Sequence, residues 1–200
     1  AEGKIVLDLC FCRQQLPILF IDQKAYYGYE INTDFQSLTC SLTALQYIEA
    51  RQLLDMGEAS LPLLAAVLYS GKGEYSSEKA QKLAQRFRKL PANTLMAIAL
   101  NFTAVNNFLF SKTEFSLLTQ FAVQPGSCSI TTDATDALYD LSKDGLGNAR
   151  QVEQMNVLTY LRILRKKTID GVKSLKASGM EVAKIATEVG LPIDIINKIV

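Results

Sequence analysis

Three aspartates, Asp133, Asp136 and Asp140, fall at i, i+3 and i+7, a spacing that puts carboxylates on one face of a helix. Such a face could hold magnesium or calcium, since both take oxygen ligands. No glutamate pair or basic cluster flanks them to complete a nuclease or phosphoryl-transfer site. A helix cap with solvated carboxylates accounts for the same residues. Asp8, Asp22, Asp34 and Asp144 are the other acids with a claim to chemistry. The chain has no histidine, which removes the commonest general base, a leading metal ligand and the neutral-pH switch together.

The four cysteines are Cys10, Cys12, Cys40 and Cys128. Cys10 and Cys12 are too close for a zinc-knuckle pair, and the other two stand far apart. A four-thiolate site would need the fold to gather them; buried free thiols in a reducing compartment are the expectation. A nucleophilic thiol would lack a histidine partner. The expectation is therefore a non-catalytic chain without a cofactor. A metal-dependent enzyme built on Asp133, Asp136 and Asp140 stands as an alternative.

Two hundred residues suffice for one domain, or a domain with a small lobe. Apolar residues at 48% and charged residues at 20% indicate a folded chain. A formal net charge of +1 gives no overall field toward nucleic acid or an anionic membrane. Locally, Lys72, Lys79, Lys82, Arg86, Arg88 and Lys89 face only Glu74 and Glu78 over residues 72–90. Residues 162–200 carry eight Lys or Arg against four acids.

The elements that must position these residues are mostly helices. Lys4–Cys12, Leu16–Asp22 and Tyr26–Ile31 are rich in strand formers and predict a small antiparallel element, with Gly28 allowing a bend. Tyr26, Tyr27 and Tyr29 are read as core or subunit packing before stacking on a base. Helices are predicted from Thr39–Ala44 to Met56, and over Leu61–Tyr69 with Ser60 as its cap. A third starts from a Ser76 cap, and the longest spans Ala92–Phe110 after Pro91. Asn93, Asn101, Asn106 and Asn107 interrupt that last run, which favours a central helix of the fold over membrane insertion. Further helices are predicted over Thr113–Phe121, from Asp133 to Leu141, and as one amphipathic stretch over Gln151–Lys167. Gln124–Ser127 reads as a loop and an internal boundary.

Ser178–Glu181 has the form of a capping box leading a helix to Gly190, followed by a short helix to Ile199. The pair has a helix-turn-helix look, which keeps a nucleic-acid-binding module as a second alternative. Its second helix offers only Lys198 and Asn197 to a base, so a structural hairpin is the favoured reading. The fold class expected is mainly α: a multi-helix globular bundle with a small N-terminal β element and a C-terminal helix pair. Residues 1–34 form the β element, 35–123 the central helical core, and 124–200 a C-terminal lobe.

The central block carries a resemblance. T-x-x-x-Y-I-E at Thr43–Glu49 enters a helix, and L-x-x-V-L-Y ends at Tyr69 before a glycine turn. F-x-x-L-P runs from Phe87 to Pro91, and M-x-V-x-x-Y-L from Met155 to Leu161. Over residues 35–166 the pattern resembles small helical proteins from the tail-gene regions of Bacteroides-type bacteriophages, in the place of tail assembly chaperones or minor structural components. The resemblance implies a contact role in virion assembly, with a protein partner or self-association, in the cytoplasm of a bacterial host or in the virion. It carries no catalytic residues over. On this reading Phe102, Asn106, Phe110, Leu158, Leu161, Arg162, Arg165 and Lys166 are the candidate contact residues.

Overall fold

Asp22 and Gln23 take φ of 49° and 62° and reverse the chain in a two-residue loop. Positive φ at both central positions is the geometry that matches the twist of a tight hairpin. The computed structural model describes residues 12–34, 37–71, 73–122 and 138–200. The hairpin joins β1 (Ile18–Ile21) to β2 (Lys24–Tyr27), with Leu19 opposite Tyr26. β3 (Ile31–Asn32) continues the chain and pairs with β4 (Thr39–Cys40). Among the described residues β2 is the partner of β1. The expected strand before it, over 4–11, lies outside the described residues.

Helix α1 (Ala44–Asp55) starts at Thr43, whose hydroxyl accepts from Gln46 N–H while the Gln46 side chain accepts from Thr43 N–H. Gly57 at φ 82° ends its turn. α2 (Leu61–Leu68) carries Pro62 in its first turn. Ser60 does not cap it. Its hydroxyl donates instead to the carbonyls of Leu53 and Gly57, closing the loop behind. α3 (Ser77–Phe87) likewise lacks a side-chain cap from Ser76. Ser77 Oγ and the Tyr75 hydroxyl donate to Glu49, which ties α3 to α1. α4 (Ala92–Lys112) follows Pro91, and residues 114–122 form 3₁₀ turns where an α-helix was expected.

The expected single helix over 151–167 is two. α5 (Ala149–Glu153) stops, and α6 (Val157–Ala177) starts after Asn156. The break lets main chain meet main chain: Ala44 N–H donates to Met155 C=O at 2.8 Å, and Val157 N–H to Leu42 C=O at 3.0 Å. Asn156 holds it, accepting from Leu158 N–H at 3.0 Å and donating to Cys40 C=O at 2.6 Å. α6 then runs past the expected end. Ser178 and Gly179 close it, with Met180 N–H returning to Leu175 C=O, so that motif ends one helix before it precedes the next. α7 (Val182–Val189) and α8 (Ile193–Ile199) form the C-terminal pair around Gly190 at φ 70°.

The main core gathers Leu19, Tyr26 and Tyr29 of the β element, Tyr47 of α1, Leu64 and Leu68 of α2, Phe87 of α3 and Phe102 of α4. Phe87 meets Tyr26 edge-on at 5.2 Å, and Phe102 meets Tyr29 and Tyr47 at 6.2 and 6.0 Å. Leu138, Leu141, Val152, Leu158 and Leu161 belong to the same cluster. A separate small one holds Val172, Ile185, Leu191 and Ile196. Packing therefore divides within α6, whose start contributes to the main cluster and whose end contributes to the small one. The fold is a mainly α, multi-helix bundle with a small N-terminal β element and a C-terminal helix pair.

Candidate functional site

The residues expected to face a partner are mostly interior. Phe102 is 1% exposed, Leu158 and Leu161 lie in the main core, and Phe110 packs against it beside Tyr47. Asn106 is buried, accepting the Tyr47 hydroxyl. Four of these five are buried, and Phe110 is partly exposed. An apolar stripe on a central helix has the same appearance whether it meets its own chain or another. Arg162 and Arg165 are held by one acid: Arg162 Nε lies 3.1 Å from Glu114 Oε1, and Arg165 Nε donates to the Glu114 carbonyl at 3.1 Å. Lys166 is exposed one residue further on.

Asp133 and Asp136 lie outside the described residues, as do Cys10 and Cys128, so neither proposed metal set has a described geometry. Cys40 is a buried free thiol, and Cys12 is buried with its Sγ 3.9 Å from Thr33 Oγ1. Burial pushes the Cys40 thiol up to about 11, which keeps it protonated and unreactive at neutral pH. Asp34 pairs with Arg13 at 3.5 Å, Asp22 with Lys89, and Asp144 with Lys167. All three are exposed ion pairs of small energetic weight. The Tyr29 hydroxyl is buried without a hydrogen-bond partner among the described residues, and burial, then Cys40 and Tyr69 nearby, hold it neutral.

The concavities among the described residues include the following two. One of about 220 Å³ lies between Tyr29, Leu42, Gln46 and Leu68, with the exposed Glu30 as the one acid in its described lining. The other, about 360 Å³, is a groove between α1, α2 and α3 floored by Leu53, Leu63 and Ala84 and edged by Met56, Gln81 and Arg88. Neither brings together an acid and a base.

The feature that departs from an ordinary surface is the outer face of the hairpin. β1 is apolar throughout, so alternation buries Leu19 and Ile21 and turns Ile18 and Phe20 to solvent, 42% and 70% exposed. Tyr27, opposite Ile18, is 57% exposed on the same face. The start of α4 adds Met96 and Leu100, the latter 60% exposed and one turn from the former. Leu100 precedes Asn101, whose side chain donates to Arg13 C=O at 2.7 Å and accepts from Gln15 N–H at 3.1 Å. These two bonds tie the run into β1 to α4. Apolar residues exposed in a group, unlike scattered ones, mark interaction sites.

Sequence reading did not single out Ile18 and Phe20 as exposed, and it read Tyr27 as core or subunit packing. Their signal was present in the unbroken apolar run Ile18–Ile21, which no exposed hairpin face needs. The C-terminal pair shows no comparable charge feature: exposed Lys173, Lys176, Lys184 and Lys198 alternate with exposed Asp170, Glu181, Glu188 and Asp194. A surface of interspersed signs does not make the basic stripe that phosphate binding needs.

The geometry defines a helical bundle bearing an apolar hairpin face. No protein-family model, curated protein or solved structure matches the chain.

Proposed function

We propose that the chain works by protein contact and performs no reaction, as an assembly or minor structural component in building a phage tail or virion. The observation that carries the contact reading is the exposed group Ile18, Phe20, Tyr27, Met96 and Leu100. Five large exposed apolar side chains, three on the hairpin and two on α4, cost the isolated chain solubility, and covering them returns roughly 25 cal/mol per Å² buried. The phage setting rests on the motif resemblance over residues 35–166, and the host cytoplasm or virion as location follows from it.

The test is co-expression with the products of the genes that flank its own. Recovery of a stoichiometric complex with one of them, weakened by Phe20→Glu, supports the reading. Recovery of the chain alone from every pairing would contradict it, as would turnover of a small-molecule substrate.

A further inference from the structure

The register of the hairpin shows where each main-chain group of β1 points. Gly28 N–H donates to Pro17 C=O at 2.9 Å, which makes that a hydrogen-bonded pair. Such pairs alternate along an antiparallel ladder, so the next are Leu19 with Tyr26 and Ile21 with Lys24. Ile18 and Phe20 therefore turn their N–H and C=O groups away from β2. β1 is an edge of a two-stranded sheet, and among the described residues nothing is hydrogen-bonded to those four groups. The open stretch is short at both ends. Leu16 N–H is taken by Gln14 Oε1 at 3.3 Å and its carbonyl by the Tyr69 hydroxyl, while Asp22 and Gln23 turn away in the loop.

We propose that this edge pairs with the same edge of a second copy of the chain, antiparallel, about a two-fold axis at Leu19. Ile18 then lies opposite Phe20 of the partner subunit, and Phe20 opposite the partner's Ile18. Each of these pairs exchanges two hydrogen bonds, so all four open groups on each copy are used and none is left over. The two hairpins become one four-stranded sheet. On its outer face an apolar row runs from Tyr27 through Ile18 to Phe20 and Ala25 of the partner subunit, following the cross-strand pairs of each hairpin.

Two features favour a second copy over an extended segment of another protein. The open ladder is two residues long, which a self-pairing consumes completely, whereas a longer peptide strand would run past both closed ends without partners. The exposed faces also repeat themselves: Ile18 and Phe20 are two apart, the offset that a two-fold axis at the residue between them places side by side. Ile18, Phe20 and Tyr27 offer roughly 300 Å² per copy, less than half of a standard interface, so the dimer is weak and depends on concentration.

The proposal rests on the contact reading above, and sedimentation velocity separates the two. The full-length chain is run over a wide concentration range beside Phe20→Glu, Ile18→Pro and Met56→Ser. Phe20→Glu puts charge into the apolar row. Ile18→Pro removes an outward donor that the β2 ladder does not use. Met56 is exposed on the α1–α2–α3 groove and serves as the control. The wild-type chain is expected to move from monomer to dimer, with dissociation constants raised about tenfold or more by either edge substitution and unchanged by Met56→Ser. Circular dichroism of each variant confirms that it folds. A wild-type monomer at every concentration overturns the self-pairing, as does a dimer indifferent to both edge substitutions. A monomer that still recovers a flanking gene product overturns the self-pairing alone and leaves the contact reading standing.

Discussion

The Tyr47 hydroxyl donates to the carboxamide oxygen of Asn106, joining α1 to the middle of α4 inside the main core. Both side chains are buried, and burial pushes the Tyr47 phenol far above its ordinary value. A neutral donor facing a neutral acceptor satisfies two groups that would otherwise oppose folding. Tyr47→Phe and Asn106→Ala are each expected to cost about 1–3 kcal/mol, and the double substitution less than their sum. Urea denaturation of the four proteins measures the coupling. Additive losses would show that the bond contributes nothing.

Phe102 and Phe20 separate the interior from the face. Phe102→Ala empties a site among Tyr29, Tyr47 and the α4 core and is expected to cost about 3–5 kcal/mol. Phe20→Ser, at an exposed position, is expected to stay within about 0.5 kcal/mol. Thermal unfolding of both variants checks the contrast.

Asn156 holds the break between α5 and α6 by two bonds, to Leu158 N–H and Cys40 C=O. Asn156→Ala is expected to lower stability by about 1–2 kcal/mol. Asn156→Asp keeps the acceptor and loses the donor, so it should recover part of that loss. Equal stability of all three would remove Asn156 from this role.

Alkaline pH should weaken the fold through groups whose proton is held more tightly when folded. The Cys40 thiol rises from 9.0 to about 11. A raised folded value means its contribution is fully present below pH 9 and is lost as pH climbs from 9 through about 11. The buried phenols of Tyr47, Tyr69 and Tyr75 are raised further, adding to the loss at higher pH. The unfolding midpoint is expected to fall above pH 9, and less steeply from pH 9 to 11 in Cys40→Ala. A midpoint that rises over that range would contradict this.

The C-terminal pair has its own small cluster of four buried residues, Val172, Ile185, Leu191 and Ile196. Ile185→Ala should release α7 and α8 while leaving the main core folded. Hydrogen exchange is expected to lose protection in residues 182–199 and keep it in α4. Uniform loss across both would mean that the two clusters unfold as one.

Much of the helical order was legible because its signals are local. Pro91 before α4 and Gly190 after α7 each act on their own turn of backbone. What escaped depends on partners far along the chain. The α5–α6 break exists because Leu42 and Ala44 pair with the backbone there, and nothing within residues 151–167 announces that. The hairpin turn has Asp22-Gln23 in place of the Asn-Gly that usually marks it, so the sequence carries little local signal for the pairing of β1 with β2. Phe102 and Phe20 are alike as letters. Only the packed structure shows that the first fills the core while the second stands in solvent.

Affinity measured against a co-purifying flanking gene product tests the central claim most directly, with wild-type chain, Phe20→Glu and Arg162→Ala compared by titration calorimetry. If the apolar hairpin face carries the contact, Phe20→Glu weakens binding about tenfold or more at unchanged thermal stability, and Arg162→Ala leaves it near the wild-type value. Undiminished binding by Phe20→Glu would show that the chain meets its partner elsewhere.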